Sequence, residues 1–339
     1  MRLPDGLTSR PATLADAEAV TELGNLCSLA DFGYLASDVS ETLNDWQSPY
    51  CNPTTNICLV FDGARLVGCV GAWIEPPCAA VSVWARVHPN YRGRGVGTYL
   101  AQWVEARCRE AAPQQAPPNT RIALQQMAQV SDGARVALLE GQGYVPVRRI
   151  YRMLIDLDGP VPEPVLPEGV RMQAFDRASQ MRALAAAEQD IFRDHWGFVK
   201  MDLDQDTAAW ELWIDNDPHH DRSLWFLAMV DPAAAVDGIA GVCLCNGHVA
   251  EDPEMGYVQS LGVRRDWRHK GLGLALLRHA FRVFQERGKR RVTLDVDSQS
   301  LTGATRLYER AGMRLQRESV IYQLVLRDGE ALATQTLDG

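Results

Sequence analysis

The stretch Tyr257-Val258-Gln259-Ser260-Leu261-Gly262-Val263, followed closely by Arg268-His269-Lys270-Gly271-Leu272-Gly273, reads as an apolar strand running into a glycine-rich turn. An earlier stretch repeats it, with Trp84-Ala85-Arg86-Val87-His88-Pro89-Asn90-Tyr91 leading into Arg92-Gly93-Arg94-Gly95-Val96-Gly97. Helical periodicity follows each turn, over residues 98–110 and 274–287. Such a turn gathers several backbone N–H groups at one point with the positive end of a helix dipole behind them, which makes an anion site. Glycine is needed there because a Cβ would obstruct both the anion's approach and the backbone angles. The spacing, Arg-x-x-Gly-x-Gly, is neither the dinucleotide fingerprint nor the Lys-containing phosphate loop of nucleotide triphosphatases.

The repetition extends outward from the turns. Leu3-Pro4-Asp5-Gly6-Leu7 recurs as Leu166-Pro167-Glu168-Gly169-Val170. Beyond each loop helix lies another apolar strand (122–127 and 292–296). A short helix then ends at a glycine and a large side chain: 134–142 before Gly143-Tyr144, and 302–311 before Gly312-Met313. Upstream, alternating runs at 57–61 and 66–73 flank Asp62-Gly63 as a hairpin, and 224–230 and 239–245 do so around Asp237-Gly238. Ala-rich helical spacing covers 12–29 and 179–192. The chain therefore divides into two complete copies, 1–157 and 168–327. A linker at 158–167 carries four prolines, and an aperiodic tail at 328–339 is expected to fray.

Hydrophobic residues at 46% and charged residues at 23% suit an ordinary folded core. A net charge of −9 repels nucleic-acid phosphate, so a nucleic-acid partner is not expected. The basic residues near the second loop (Arg264, Arg265, Arg268, His269, Lys270 and Arg278) read instead as a local site for a phosphate-bearing cofactor, or as a solvated helix start. No apolar run spans a bilayer and Met1-Arg2-Leu3-Pro4-Asp5 opens no signal peptide, which points to a cytoplasmic protein with no membrane partner, either a monomer or a homodimer. The eight cysteines contain no Cys-x-x-Cys pair and fall among apolar neighbours, so they read as small core residues. Cys243 and Cys245 share one strand face, but no converging histidine or further cysteine completes a metal site.

Arg-x-x-Gly-x-Gly between a strand and a helix, found twice, resembles the signature of the GNAT superfamily of acyl-CoA-dependent N-acyltransferases. The resemblance implies an α/β (α+β, mixed-sheet) fold class. Two tandem GNAT-type domains would each hold a mostly antiparallel sheet with a central splayed strand pair flanked by helices. It implies acetyl-CoA as cofactor, its pyrophosphate held by Arg268, His269, Lys270, Gly271, Leu272, Gly273 and Leu274. In the first copy Arg92, Gly93, Arg94, Gly95, Val96 and Gly97 would form the equivalent cradle. Leu261 and Val263 would line the acyl end with backbone N–H groups, and Gly262 would mark a bulge that splays the strand.

The family's proton donor to the departing thiolate is a tyrosine in the setting Ala-x-x-Leu-Tyr-x-x-x-Gly. Ala304-Thr305-Arg306-Leu307-Tyr308-Glu309-Arg310-Ala311-Gly312 reproduces it, whereas the first copy has Leu139 in its place. A leucine cannot give a proton, so the second copy is expected to be catalytic and the first not. Taken by itself, Tyr308 also reads as a core aromatic on the face of Ala304 and Leu307.

The base is less defined. The strand before the second loop offers no carboxylate; Gln259 can hold a water but cannot take a proton, and is placed beside Tyr308 in the reacting machinery. Glu254, Asp295 and Asp297 are the nearby acids, the last two reading equally as a solvent-facing strand end. In this superfamily the first two helices select the acceptor. Asp194, His195 and Trp196, with Asp202, Asp204, Asp206, Trp210 and Trp213, mix carboxylates and aromatics in a way that suits a small cationic amine, or else form an acidic loop with aromatic staples. The expected activity is acetyl transfer to the primary amine of a small molecule. The rival reading is a non-catalytic acyl-CoA-binding or regulatory tandem protein.

Overall fold

The computed structural model of the chain describes residues 2–48, 50–231, 235–300 and 303–334. In chain order the strands are β1 (Thr8–Pro11), β2 (Ile57–Asp62), β3 (Arg65–Trp73), β4 (Ala80–Val87), β5 (Ile122–Gln129), β6 (Val145–Asp156), β7 (Arg171–Ala174), β8 (Trp225–Met229), β9 (Ile239–Asn246), β10 (Met255–Val263), β11 (Arg291–Asp297) and β12 (Arg314–Arg327). The α-helices are α1 (Ala17–Phe32), α2 (Val39–Gln47), α3 (Pro53–Asn56), α4 (Val96–Gln115), α5 (Gly133–Gly141), α6 (Arg177–Phe192), α7 (Leu203–Asn216), α8 (Leu272–Glu286) and α9 (Ala304–Arg310). Thr302, where the last helix was expected to begin, lies outside the described residues.

Two compact units result, each a mixed sheet with helices on both faces. The first comprises Met1–Arg149 and Ser319–Ala333, the second Ile150–Glu318 and Thr334–Gly339. Strand order in the first is β1-β2-β3-β4-β5-β12, and in the second β6-β11-β10-β9-β8-β7. Neighbours run antiparallel except β4 with β5 and β10 with β11. On one face of the second sheet α8 buries Leu276, Leu277, Phe281 and Phe284, and on the other α6 buries Leu184, Ala187 and Ile191. The apolar spacing of each helix and the near-continuous apolar runs of β8 and β9, buried on both faces, account for this layering.

The division differs from the linear one at residues 157 and 168. The sixth strand of the second sheet is β6, paired antiparallel to β11 from Ile150↔Asp297 to Asp156↔Arg291. The sixth strand of the first is β12, paired to β5 from Ser319↔Gln129 onward. Because the two copies present equivalent edges, alternating hydrophobicity identifies a strand without choosing which edge it fills. The tail differs from expectation as well. The Glu330 N–H donates to the Asn119 carbonyl (2.7 Å) and the Thr334 N–H to that of Phe198 (2.8 Å), so these residues are tied down, while 335–339 lie outside the described residues.

Candidate active site

β10 and β11 pair in parallel only from Met255↔Arg291 to Tyr257↔Thr293. Their continuations both line one cleft of about 600 Å³. A bulge on β10 coincides with the parting: Val258 pairs with Cys245 and Ser260 with Leu244, leaving Gln259 as the extra residue. The expectation of a bulge at Gly262 is thereby corrected. Gly262 is small for another reason, since a Cβ there would stand 2.1 Å from Cγ2 of Ile191, so α6 lies hard against this end of the strand. The extra residue turns the following backbone, which lets Leu261 to Val263 border the opening instead of bonding to β11.

At the cleft's rim the second glycine-rich turn enters α8. Gly271 caps the helix with φ 84°, and His269 also takes positive φ, at 62°. Alternating left- and right-handed residues point successive N–H groups into one concavity at a helix start. Gly273 answers to packing, because a Cβ would come within 3.1 Å of Leu307 on α9. His269, Gly271, Leu272, Gly273 and Leu274 all line the cleft, while exposed Lys270 lies over the Trp267 ring at 4.6 Å.

The Arg268 guanidinium is already committed. Its Nε donates to the Val263 carbonyl (3.0 Å), and its terminal nitrogens donate to the Ile191 carbonyl (3.1 Å) and to Asp194 (2.9 Å). Arg265 also donates to Asp194, which is 4% exposed. Asp194, expected to meet the acceptor, is therefore the buried anion that straps α6 to the loop. Its carboxyl is held down at about 2, mainly by the hydrogen bond from Arg265, with burial opposing and Arg268 assisting. His195 does line the cleft, 4.6 Å from the Phe192 ring, with its pKa lowered by burial and then by Arg268. Trp196 is not among the residues that line it.

The acids and tryptophans that follow form a helix rather than a loop. Asp202 caps α7 by accepting from the Asp204 and Gln205 N–H groups, and Asp204 pairs with Arg182. Trp210 and Trp213 pack on Trp225. An acidic first turn favoured by the helix dipole accounts for this run of aspartates.

Tyr308 lines the cleft and is 7% exposed, with Ala304 and Leu307 of the same helix α9 lining it too. Burial, then the proximity of Cys243 and Tyr257, pushes its hydroxyl above the ordinary phenol range, which keeps it protonated. Of the acids considered as bases, Asp295 accepts two bonds from Arg152 (2.9 and 2.6 Å) and one from the Tyr257 hydroxyl (3.2 Å). Glu254 pairs with Arg290 (3.4 Å), beside the start of β10. Asp297 lines the cleft and accepts from the Gln299 N–H (2.9 Å).

Two segments, 23–116 and 182–313, match the model of the acetyltransferase (GNAT) family. A mycothiol acetyltransferase of Salinispora arenicola is 31% identical over 73% of this chain and 74% of its own length. That of Salinispora tropica is 30% identical over 80% and 82%. The chain belongs to the GNAT family. A crystal structure of a GCN5-related N-acetyltransferase from Sphaerobacter thermophilus superposes with a TM-score of 0.78 at 33% identity, covering 97% of this chain and 98% of that one. A tandem GNAT protein from the clavulanic acid pathway shares the fold, with a TM-score of 0.71 at 15% identity, 96% of this chain and 100% of that one being covered. This chain is thus a tandem GNAT N-acetyltransferase.

Its two GNAT units differ where chemistry would occur. The first loop keeps the geometry: Gly93 and Gly95 have φ of 71° and 85°, and the Arg92 guanidinium braces the loop on Asp31 (2.6 and 2.8 Å). Between β4 and β5, however, no bulge interrupts the pairing of β4 with β3 from Gly68↔Val87 to Trp73↔Ser82. Arg135 of α5, at the motif position of Ala304, reaches the Ala85 carbonyl (3.3 Å) and the Gln126 side chain (3.4 Å). Burial lowers its pKa to about 10, with Arg86 adding to the effect. Leu139 fills the tyrosine position, wholly buried.

Proposed function

We propose that the second unit transfers the acetyl group of acetyl-CoA to the primary amine of a small, cationic molecule by direct attack. Acetyl-CoA supplies the activated acyl group. The N–H concavity at His269 to Leu274 suits its pyrophosphate, and the cleft between β10 and β11 suits its extended arm. Leu261 to Val263 pair with β9 on one side only, and their other side borders the place where the acyl oxygen gains charge, where a fixed N–H stabilises it. Tyr308 then protonates the departing thiolate. The observation that carries this reading is Tyr308 itself: a buried, protonated hydroxyl in the cleft, present in one unit and replaced by leucine in the other.

In the first unit the cradle of Arg92 to Gly97 supports binding of coenzyme A phosphates, but Arg135 crosses the gap through which an acyl arm would enter. Its role is structural. The acceptor panel holds polyamines, aminoglycosides, amino acids and glucosamine-type thiols, and the mycothiol acetyltransferase relatives make thiol-bearing amines its natural first members. The test is release of free thiol from acetyl-CoA with each amine. Turnover is expected with at least one, and Tyr308→Phe should lower its kcat about 10- to 1,000-fold with coenzyme A affinity unchanged. No thiol release with any amine, or full activity in the variant, would overturn the proposal.

A further inference from the structure

No acid considered from sequence stands free in the cleft, yet one that was passed over sits behind its wall. Glu188 lies on α6, and its two carboxylate oxygens accept from the Ser260 hydroxyl at 2.8 and 3.1 Å. Ser260 is the residue that follows the bulge, and it lines the cleft. We infer that Ser260 and Glu188 form the proton relay that neutralises the acceptor ammonium, with Glu188 as terminal acceptor. The inference rests on the acetyl-transfer reading given above.

The surroundings suit that task. Burial pushes the Glu188 carboxyl up to about 7, the Ser260 hydrogen bond opposing and Asp206 of α7 adding to the rise. Asp206 in turn accepts from Gln189 (2.7 Å). From β9, Val242 and Leu244 pack against α6, and neither titrates. The nearby cations are engaged elsewhere: Arg264 and Arg193 with Asp190, Arg265 and Arg268 with Asp194. A carboxyl poised near neutrality, one hydroxyl away from the substrate, has the affinity that base catalysis at neutral pH asks for.

In the step, a proton of R–NH3+ passes to Ser260 Oγ as the hydroxyl's own proton passes to Glu188, leaving a neutral amine. The amine nitrogen bonds to the acyl carbon, the C–S bond breaks, and the thiolate takes the Tyr308 proton. The second nitrogen proton restores Tyr308, and Glu188 returns its proton to solvent.

The decisive experiment follows kcat/KM against pH with an accepted amine whose own pKa exceeds 9. The wild type should lose activity as pH falls through about 7. Glu188→Gln should be at least about 100-fold slower at pH 8 and lack that limb, and Ser260→Ala should behave alike. Glu188→Gln should also melt no lower than wild type at pH 8. A carboxyl whose folded pKa is raised weakens the fold above its unfolded pKa, and an amide avoids this penalty. An unaltered acid limb in Glu188→Gln overturns the relay. Independently of turnover, the infrared carboxyl band lost in Glu188→Gln should titrate near pH 7, and titration near 4.5 overturns the relay as well. Absence of thiol release with every amine instead overturns the acetyl-transfer reading, whatever Glu188 does.

Discussion

Asp194 and Glu188 lie six residues apart, Glu188 in α6 and Asp194 just beyond its end, and their acidities move in opposite directions. Both are removed from water, but Asp194 has two guanidinium partners and Glu188 has a neutral hydroxyl. Charge pairing outweighs desolvation in the first case and desolvation wins in the second. A depressed carboxyl contributes stability above its unfolded pKa and loses it as pH falls toward its folded one. Asp194→Asn should therefore cost about 1 to 3 kcal/mol at pH 7, since the mostly buried Arg268 loses its carboxylate partner while the half-exposed Arg265 stays hydrated. The gap to wild type in urea titrations should narrow between pH 4 and about 2. A gap that stays constant over that range would mean the ion pair is not its source. Tyr308 and Gly271, which line the cleft, could be singled out from sequence because each stands in a short motif that resembles the family's. Asp194 was placed at the acceptor, and Glu188 went unnoticed, because an acid's partner lies on another element and no local spacing reveals it.

At the scale of elements, β10 borders the cleft through two local departures from a regular strand. The bulge at Gln259 releases the backbone from β11, and the missing Cβ at Gly262 lets α6 close on it. Gly262→Ala should then destabilise the fold by about 1 to 3 kcal/mol, as overpacking does. Gly24 of α1 provides the contrast, because a Cβ there meets nothing within 4 Å and alanine should stabilise the helix by about 0.5–1 kcal/mol. Urea midpoints of the two variants check both signs, and equal shifts would contradict the packing account. The strand-loop-helix order and the helix periods were legible in the sequence, since hydrophobic spacing reports them directly. The bulge was misplaced by three residues because glycine marks either a backbone angle or a close approach, and the sequence alone does not say which. The acidic run of α7 was open to two readings, an amine-binding cluster or an acidic loop with aromatic staples; its aspartates cap a helix's first turn, and its tryptophans do pack as staples on Trp225.

For the whole molecule, duplication made the fold class readable and obscured its chain path. Repeated motifs announced two units of one kind, but equivalent edges left open which final strand completes which sheet, and each unit takes its sixth strand from the far side of the linear boundary. Among the described residues no helix is long and apolar enough to cross a membrane. The central claim is that only the second unit turns over. Gly95 and Gly271 offer a matched pair for testing it, with φ of 85° and 84° and no neighbour nearer than 3.5 Å to an added Cβ. Valine at either position carries a similar backbone strain of about 1–2 kcal/mol, so folding costs should match. The measurement is kcat/KM for acetyl transfer in Gly95→Val and Gly271→Val, with melting curves of each. The account predicts at least a tenfold loss for Gly271→Val and near-wild-type turnover for Gly95→Val at similar melting temperatures; a loss confined to Gly95→Val, or equal losses in both, would contradict it.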